Sequence, residues 1–113
     1  MNARERGNSL LHTLELDFAT DADVTAGRMF NGEGLATGGK IFVFVSNTGR
    51  LVVKVPASEV HERIANGAEA VTMGKRTMRE WVSIAQPADD DLTDWREAAE
   101  SARRFVRGGA QST

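Results

Sequence analysis

Residues 41–45, Ile41-Phe42-Val43-Phe44-Val45, form an unbroken run of β-branched and aromatic side chains with no charge in it. Such a run loses water on both faces, as a central strand does. Turn residues bracket it. Gly38-Gly39 precedes it and tolerates the positive φ of a two-residue hairpin, and Asn47-Thr48-Gly49 follows it. Leu51-Val52-Val53-Lys54-Val55 comes next, with Leu51, Val53 and Val55 on one face and Val52 and Lys54 on the other. Pro56 cannot donate to a ladder and ends that strand. Upstream, Arg28-Met29-Phe30 and Gly34-Leu35-Ala36 read as one strand bent at Gly32 and Gly34. The expectation is a three-stranded antiparallel meander over residues 28–56.

The flanking segments read as its cover. Residues 9–19 carry Leu10, Leu11, Leu14 and Phe18 on one helical face, with Asn8 or Ser9 as cap or a start nearer Arg4. Residues 57–66 make a short helix with Val60 and Ile64 as its apolar pair and Gly67 behind it. Residues 68–72 and 78–86 read as a fourth and fifth strand, with residues 73–77 joining them. Residues 89–106 give the strongest helical pattern, a stripe of Leu92, Trp95, Ala99, Ala102 and Val106 with acids at its start and Arg103, Arg104 and Arg107 at its end. The predicted fold is two-layer α+β, a mostly antiparallel five-stranded sheet with helices in the order α-β-β-β-α-β-β-α. Its ordered core spans about residues 9–107, with residues 1–7 and 108–113 as frayed tails.

At 113 residues the expectation is one domain, 1–113. A domain of this size buries about two-thirds of its unfolded surface, enough for a core without staples. The absence of cysteine excludes disulfides and thiolate metal sites. No apolar leader or membrane-length run occurs, the longest apolar run being five residues. A net charge of −2 with intermixed signs argues against a dedicated polyanion binder.

Several short motifs then carry a resemblance. Gly27-Arg28-Met29-Phe30-Asn31-Gly32, Gly34-Leu35, Gly39-Lys40-Ile41-Phe42 and Gly49-Arg50-Leu51-Val52-Val53-Lys54-Val55-Pro56 lie in the first half. Met78-Arg79-Glu80-Trp81-Val82 and a Trp-containing helix ending in Phe105-Val106 lie in the second. In this order they resemble the N-terminal domain of the TfoX/Sxy competence regulators, over residues 10–106. One departure is Asn31, where glycine commonly follows Met-Phe. The resemblance implies the same element order, a cytoplasmic location and a regulatory role. It supplies no catalytic residues, and a larger departure is expected at the chain's end, where the full-length regulators carry a second, helical domain for which these 113 residues leave no room.

Motifs for chemistry are weak. Gly32-Glu33-Gly34 with Gly38 lacks the helix that a dinucleotide fingerprint opens. Gly74-Lys75-Arg76-Thr77 lacks the upstream glycine and the Ser/Thr placement of a phosphate loop. His12 and His61, on different helices, are too few for a zinc site. No nucleophile elbow accompanies Ser9, Ser46, Ser58 or Ser83. Asp89, Asp90, Asp91 and Asp94 lack calcium-loop spacing and suit a helix start. Trp81 and Trp95 read as core aromatics with one wet edge. The expectation is therefore no enzyme, no cofactor and no metal.

Two groups of charges remain. Lys54 and Glu80 interrupt apolar strands, and with Arg28 they form a candidate polar patch or a cross-strand ion pair. Lys75, Arg76 and Arg79 form a candidate anion patch, enlarged if Arg103, Arg104 and Arg107 adjoin it. The favoured reading is a stand-alone regulatory protein acting by protein contact through an exposed sheet face or edge. Its partner is another protein, with a second copy of the chain as a candidate. A nucleic-acid-associated regulator using Lys75, Arg76 and Arg79, and a small-molecule or enzymatic site at Arg28, Lys54 and Glu80, are the alternatives. No membrane contact is expected.

Overall fold

The computed structural model describes residues 1–29 and 32–109. Helix α1 (Ala3–Glu15) runs into a 3-10 turn (Leu16–Phe18), and the strands β1 (Val24–Met29), β2 (Gly32–Thr37), β3 (Lys40–Val45) and β4 (Leu51–Lys54) follow. Then come α2 (Ala57–Ala65), β5 (Glu69–Met73), β6 (Arg76–Ile84) and α3 (Thr93–Gly109). The strands form one sheet in the order β1-β2-β3-β4-β6-β5, with every neighbouring pair antiparallel. The architecture is α+β.

The uncharged run at residues 41–45 is the interior strand β3, paired with β2 on one side and β4 on the other. Tight turns close the ladder where glycine supplies positive φ, at Gly38 (57°), Gly39 (82°) and Gly49 (82°). The β2–β3 register slips once. Leu35 faces Val43 while Ala36 faces Ile41, so Phe42 has no partner. This bulge turns Phe42 and Val43 inward together, and both are fully buried.

The sheet has six strands rather than the five expected. Residues 28–36 do not make one bent strand. Met29 faces Gly32 and Val24 faces Thr37, so β1 and β2 are the two arms of a hairpin. Phe30 and Asn31, including the departure from the family pattern, lie outside the described residues. The extra strand was hard to see because β1 is an edge. Thr25, Ala26 and Gly27 are exposed, so its pairing rests on backbone bonds and needs no apolar alternation.

One apolar core joins the sheet to all three helices. Leu10, Leu11 and Leu14 of α1, Val60 of α2, and Trp95, Ala98, Ala99, Ala102 and Val106 of α3 meet Leu35, Val43, Val45, Leu51, Val53 and Val82. The alanines on α3 let its axis approach the strands closely, and the Trp95 indole donates to the Ala85 carbonyl at 2.8 Å.

The first residues are not a frayed tail. Helix α1 starts at Ala3, six residues before Ser9, because Asn2 and Glu5 form a reciprocal capping box at 2.8 and 3.1 Å. Gly7 then allows the helix to touch the β3–β4 turn. A Cβ there would sit 2.7 Å from the Gly49 carbonyl oxygen and 2.9 Å from Val45 Cγ1. Gln86 fastens the contact by donating to the carbonyls of Ala3 (2.5 Å) and Gly49 (2.8 Å). Arg6 donates to Gln86 Oε1 and to the carbonyls of Pro87 and Asp89. At the other end, Gly108 and Gly109 still belong to α3, and residues 110–113 lie outside the described residues.

Candidate functional site

The sequence makes β3 and β4 apolar on both faces, yet the core takes up only one. Val52 points the other way, between Phe44 on β3 and Ser83 on β6. It is 3% exposed without belonging to the core. Its cover comes from the sheet itself. Phe44 and Trp81 sit on strands separated by β4, roughly 10 Å apart by ordinary strand spacing. Their ring centroids are nevertheless 5.6 Å apart, so the two half-buried rings lean together across β4. The Lys54 Nζ lies 5.8 Å from the Trp81 ring centre. Arg50 closes the neighbouring row, with Nε on the Ser83 hydroxyl (2.7 Å), a second nitrogen on the Ser83 carbonyl (3.1 Å), and Glu69 at 3.9 Å. Trp81 is thus not the core aromatic that the sequence suggested. Trp95 is one, 1% exposed.

Beside this aromatic roof β6 leaves its β5 partner. Val82 faces Ala70 and Met78 faces Val71, so Arg79, Glu80 and Trp81 have no residue opposite on β5. Trp81 pairs with Lys54, and the Glu80 carbonyl accepts the Val55 N–H at 3.0 Å. The excursion opens a hollow of about 460 Å³ lined by Lys54, Ala57, Arg76, Arg79, Glu80 and Trp81, among others.

The two candidate patches therefore merge in large part. Lys54 and Glu80 share the hollow with Arg76 and Arg79, and Lys75 sits in the turn just before Arg76. Arg28 is on β1 with β2 and β3 between it and β4, and its side chain lies outside the described residues. The cross-strand ion pair expected for Lys54 and Glu80 is not made, because the residue opposite Lys54 is Trp81. Among the described residues, Lys54, Lys75, Arg76, Arg79 and Glu80 have no oppositely charged group within 4.0 Å.

The arginines near the chain's end do not extend this patch. Two of them serve the far edge of the sheet, where Arg103 meets Asp21 at 2.9 Å and Arg107 meets Asp23 at 3.7 Å, and Arg104 lines a separate hollow with Glu59 and Glu62 of α2. Asp23 also accepts the Thr37 hydroxyl at 2.7 Å. That bond, with help from Arg107 and Arg103, holds its carboxyl below the usual value. Asp91 is held low in the same way by the Thr93 hydroxyl and N–H at the start of α3. His12 contacts Glu33 at 2.6 Å, and His61 is exposed. No three groups of metal-binding type converge among the described residues. No helix among them is long and apolar enough to cross a membrane.

Sequence reasoning found Lys54, Glu80, Arg76 and Arg79 but missed Arg50, Ser83 and the roof over Val52. The signal for the roof was present. A one-sided sheet whose central strands are apolar on both faces needs apolar cover on the second face, and Trp81 was the large ring nearest that row in register.

No match to the chain is found among curated proteins or among solved structures. A family model does match, by the description TfoX N-terminal domain, over residues 17–106, from the 3-10 turn to the last buried residue of α3. The six strands and α3 lie almost wholly inside that span, and on this match the chain belongs to the TfoX N-terminal domain family.

Proposed function

We propose that this chain is a non-catalytic, cytoplasmic regulatory module that binds another protein on the helix-free face of its sheet, at the Phe44–Trp81 roof. The carrying observation is that roof, an apolar ridge on a face no helix covers among the described residues. Its rim sets the chemistry of the partner. Around the adjoining hollow Lys54, Arg76 and Arg79 outnumber Glu80, and among the described residues none of the three has an acid within 4.0 Å, so the matching segment is acidic with apolar anchors.

The test is capture from the native cell with three baits: wild type, Trp81→Ala and Arg104→Ala, the last changing an exposed arginine of α3 away from the ridge. One band should bind wild type and Arg104→Ala, release with rising salt, and disappear with Trp81→Ala. Equal recovery by all three baits would refute the reading.

The same unpaired cations favour a nucleic-acid partner as the second reading. Against it, Lys54 lies over the Trp81 ring, so that ring has a face already occupied and is a poor platform for a base. Binding of a short DNA with a steep salt slope, lost in Arg76→Ala with Arg79→Ala, would replace the first reading by the second.

A further inference from the structure

The sheet has two free edges, and they differ. The acids flanking β1 are engaged within the chain, Asp21 and Asp23 by Arg103, Arg107 and Thr37. The acid that opens β5, Glu69, has a looser tie, 3.9 Å from Arg50 with its side chain still mostly exposed. Among the described residues β5 neighbours β6 alone in the sheet, and no other strand of these pairs with its outer side. From Ala70 to Met73 it carries no charge and no proline, the features that usually block edge pairing. Met73, at its end, is 54% exposed. Ile64 of the adjoining α2 is exposed as well.

Charge runs along this edge with opposite signs at its two ends. Glu69 opens the strand, and Lys75 and Arg76 follow it, both without an acid within 4.0 Å among the described residues. A strand that is negative at one end and positive at the other complements itself when it pairs antiparallel with its own copy.

We propose that β5 is a self-pairing edge, joining two copies of the chain about Val71 into one continuous antiparallel sheet. In that register Met73 faces Glu69 of the second copy. Within each chain Arg76 faces Met73, so Arg76, Met73 and the second copy's Glu69 form one row on one face. Lys75 lies two residues, about 7 Å, beyond that glutamate, within reach of a lysine side chain. The two-fold axis makes every such contact twice. The contact uses the edge and leaves the Phe44–Trp81 rings open, so of the groups in the function proposed above it shares only Arg76.

The test is sedimentation equilibrium of the full chain, with the charges exchanged in steps. A short strand pair with four flanking ionic contacts predicts a monomer–dimer Kd of about 10–100 µM at low salt. Lys75→Glu with Arg76→Glu should raise that Kd at least about tenfold, and so should Glu69→Lys, since each sets like charges opposite one another. Combining all three substitutions should restore the dimer. The substituted side chains are exposed, so circular dichroism and melting should show each variant folded as wild type. Trp81→Ala should dimerise as wild type, which separates this contact from the ridge. A wild-type chain that stays monomeric at the highest concentration overturns the proposal. So does a dimer indifferent to the charge reversals, and so does a triple variant that fails to recover.

Discussion

The contact between α1 and the β3–β4 turn can be weighed with three alanines. Gly74 has φ 62° and nothing within 4 Å of where a methyl would stand, so Gly74→Ala meets only the backbone penalty, about 1–2 kcal/mol. Gly49 has φ 82°, and a Cβ there would also overlap the Ala3 carbonyl and the Gln86 amide. Adding about 1–3 kcal/mol for overpacking and about 1 kcal/mol for the disturbed Gln86 hydrogen bond to the same backbone penalty gives about 3–6 kcal/mol for Gly49→Ala. Gly7→Ala gains about 1 kcal/mol of helix propensity but meets Gly49 and Val45, for a net loss of up to about 2 kcal/mol. At roughly 4 °C per kcal/mol for a chain of this size, melting should drop by about 12–24 °C for Gly49→Ala and about 4–8 °C for Gly74→Ala. Scanning calorimetry gives both values, and the Gly7→Ala, Gly49→Ala double variant should lose less than the sum, since one displacement of α1 relieves both overlaps. A Gly49→Ala loss no greater than that of Gly74→Ala would refute the close approach.

Asp23, held low by Thr37, stabilises the fold above its unfolded value near 3.8, and that contribution fades as pH falls through the lower folded value. Asp23→Asn should therefore flatten the acid limb of melting temperature against pH below about 4, with Asp91 leaving part of the slope in place. Trp95→Phe keeps most of the buried ring but leaves the Ala85 carbonyl unpaired and a void beside it, for a loss of about 1.5–3 kcal/mol in urea unfolding. Arg6→Ala removes the bonds to Gln86, Pro87 and Asp89 and should cost about 1–3 kcal/mol, seen as a lower urea midpoint with an unchanged slope.

How far the sequence reached depended on whether a residue's partner was local. The run at residues 41–45 announced an interior strand because burial on both faces selects its composition, and α3 announced itself by its stripe. Strand β1 did not, because an edge held by backbone bonds leaves its side chains free to be polar or small. Gly7 looked like tail rather than contact, since its partner Gly49 is forty-two positions away and only the fold brings them together. At the candidate site, Lys54 and Glu80 stood out as charges in apolar strands. Their relation did not, because it hangs on where β6 loses step with β5, a register fact with no composition of its own.

That lost step divides β6 into two tiers. Residues 81–84 are held by β4, whereas 76–78 are held by β5 alone and, with β5, form a hairpin arm whose residues are nearly all exposed to water. Amide protons on the arm should be the first in the sheet to trade with deuterium, well ahead of those at Val82 and Ser83. Any molecule that clasps the arm would report its arrival there, as slowed exchange in the part of the sheet that otherwise opens most readily.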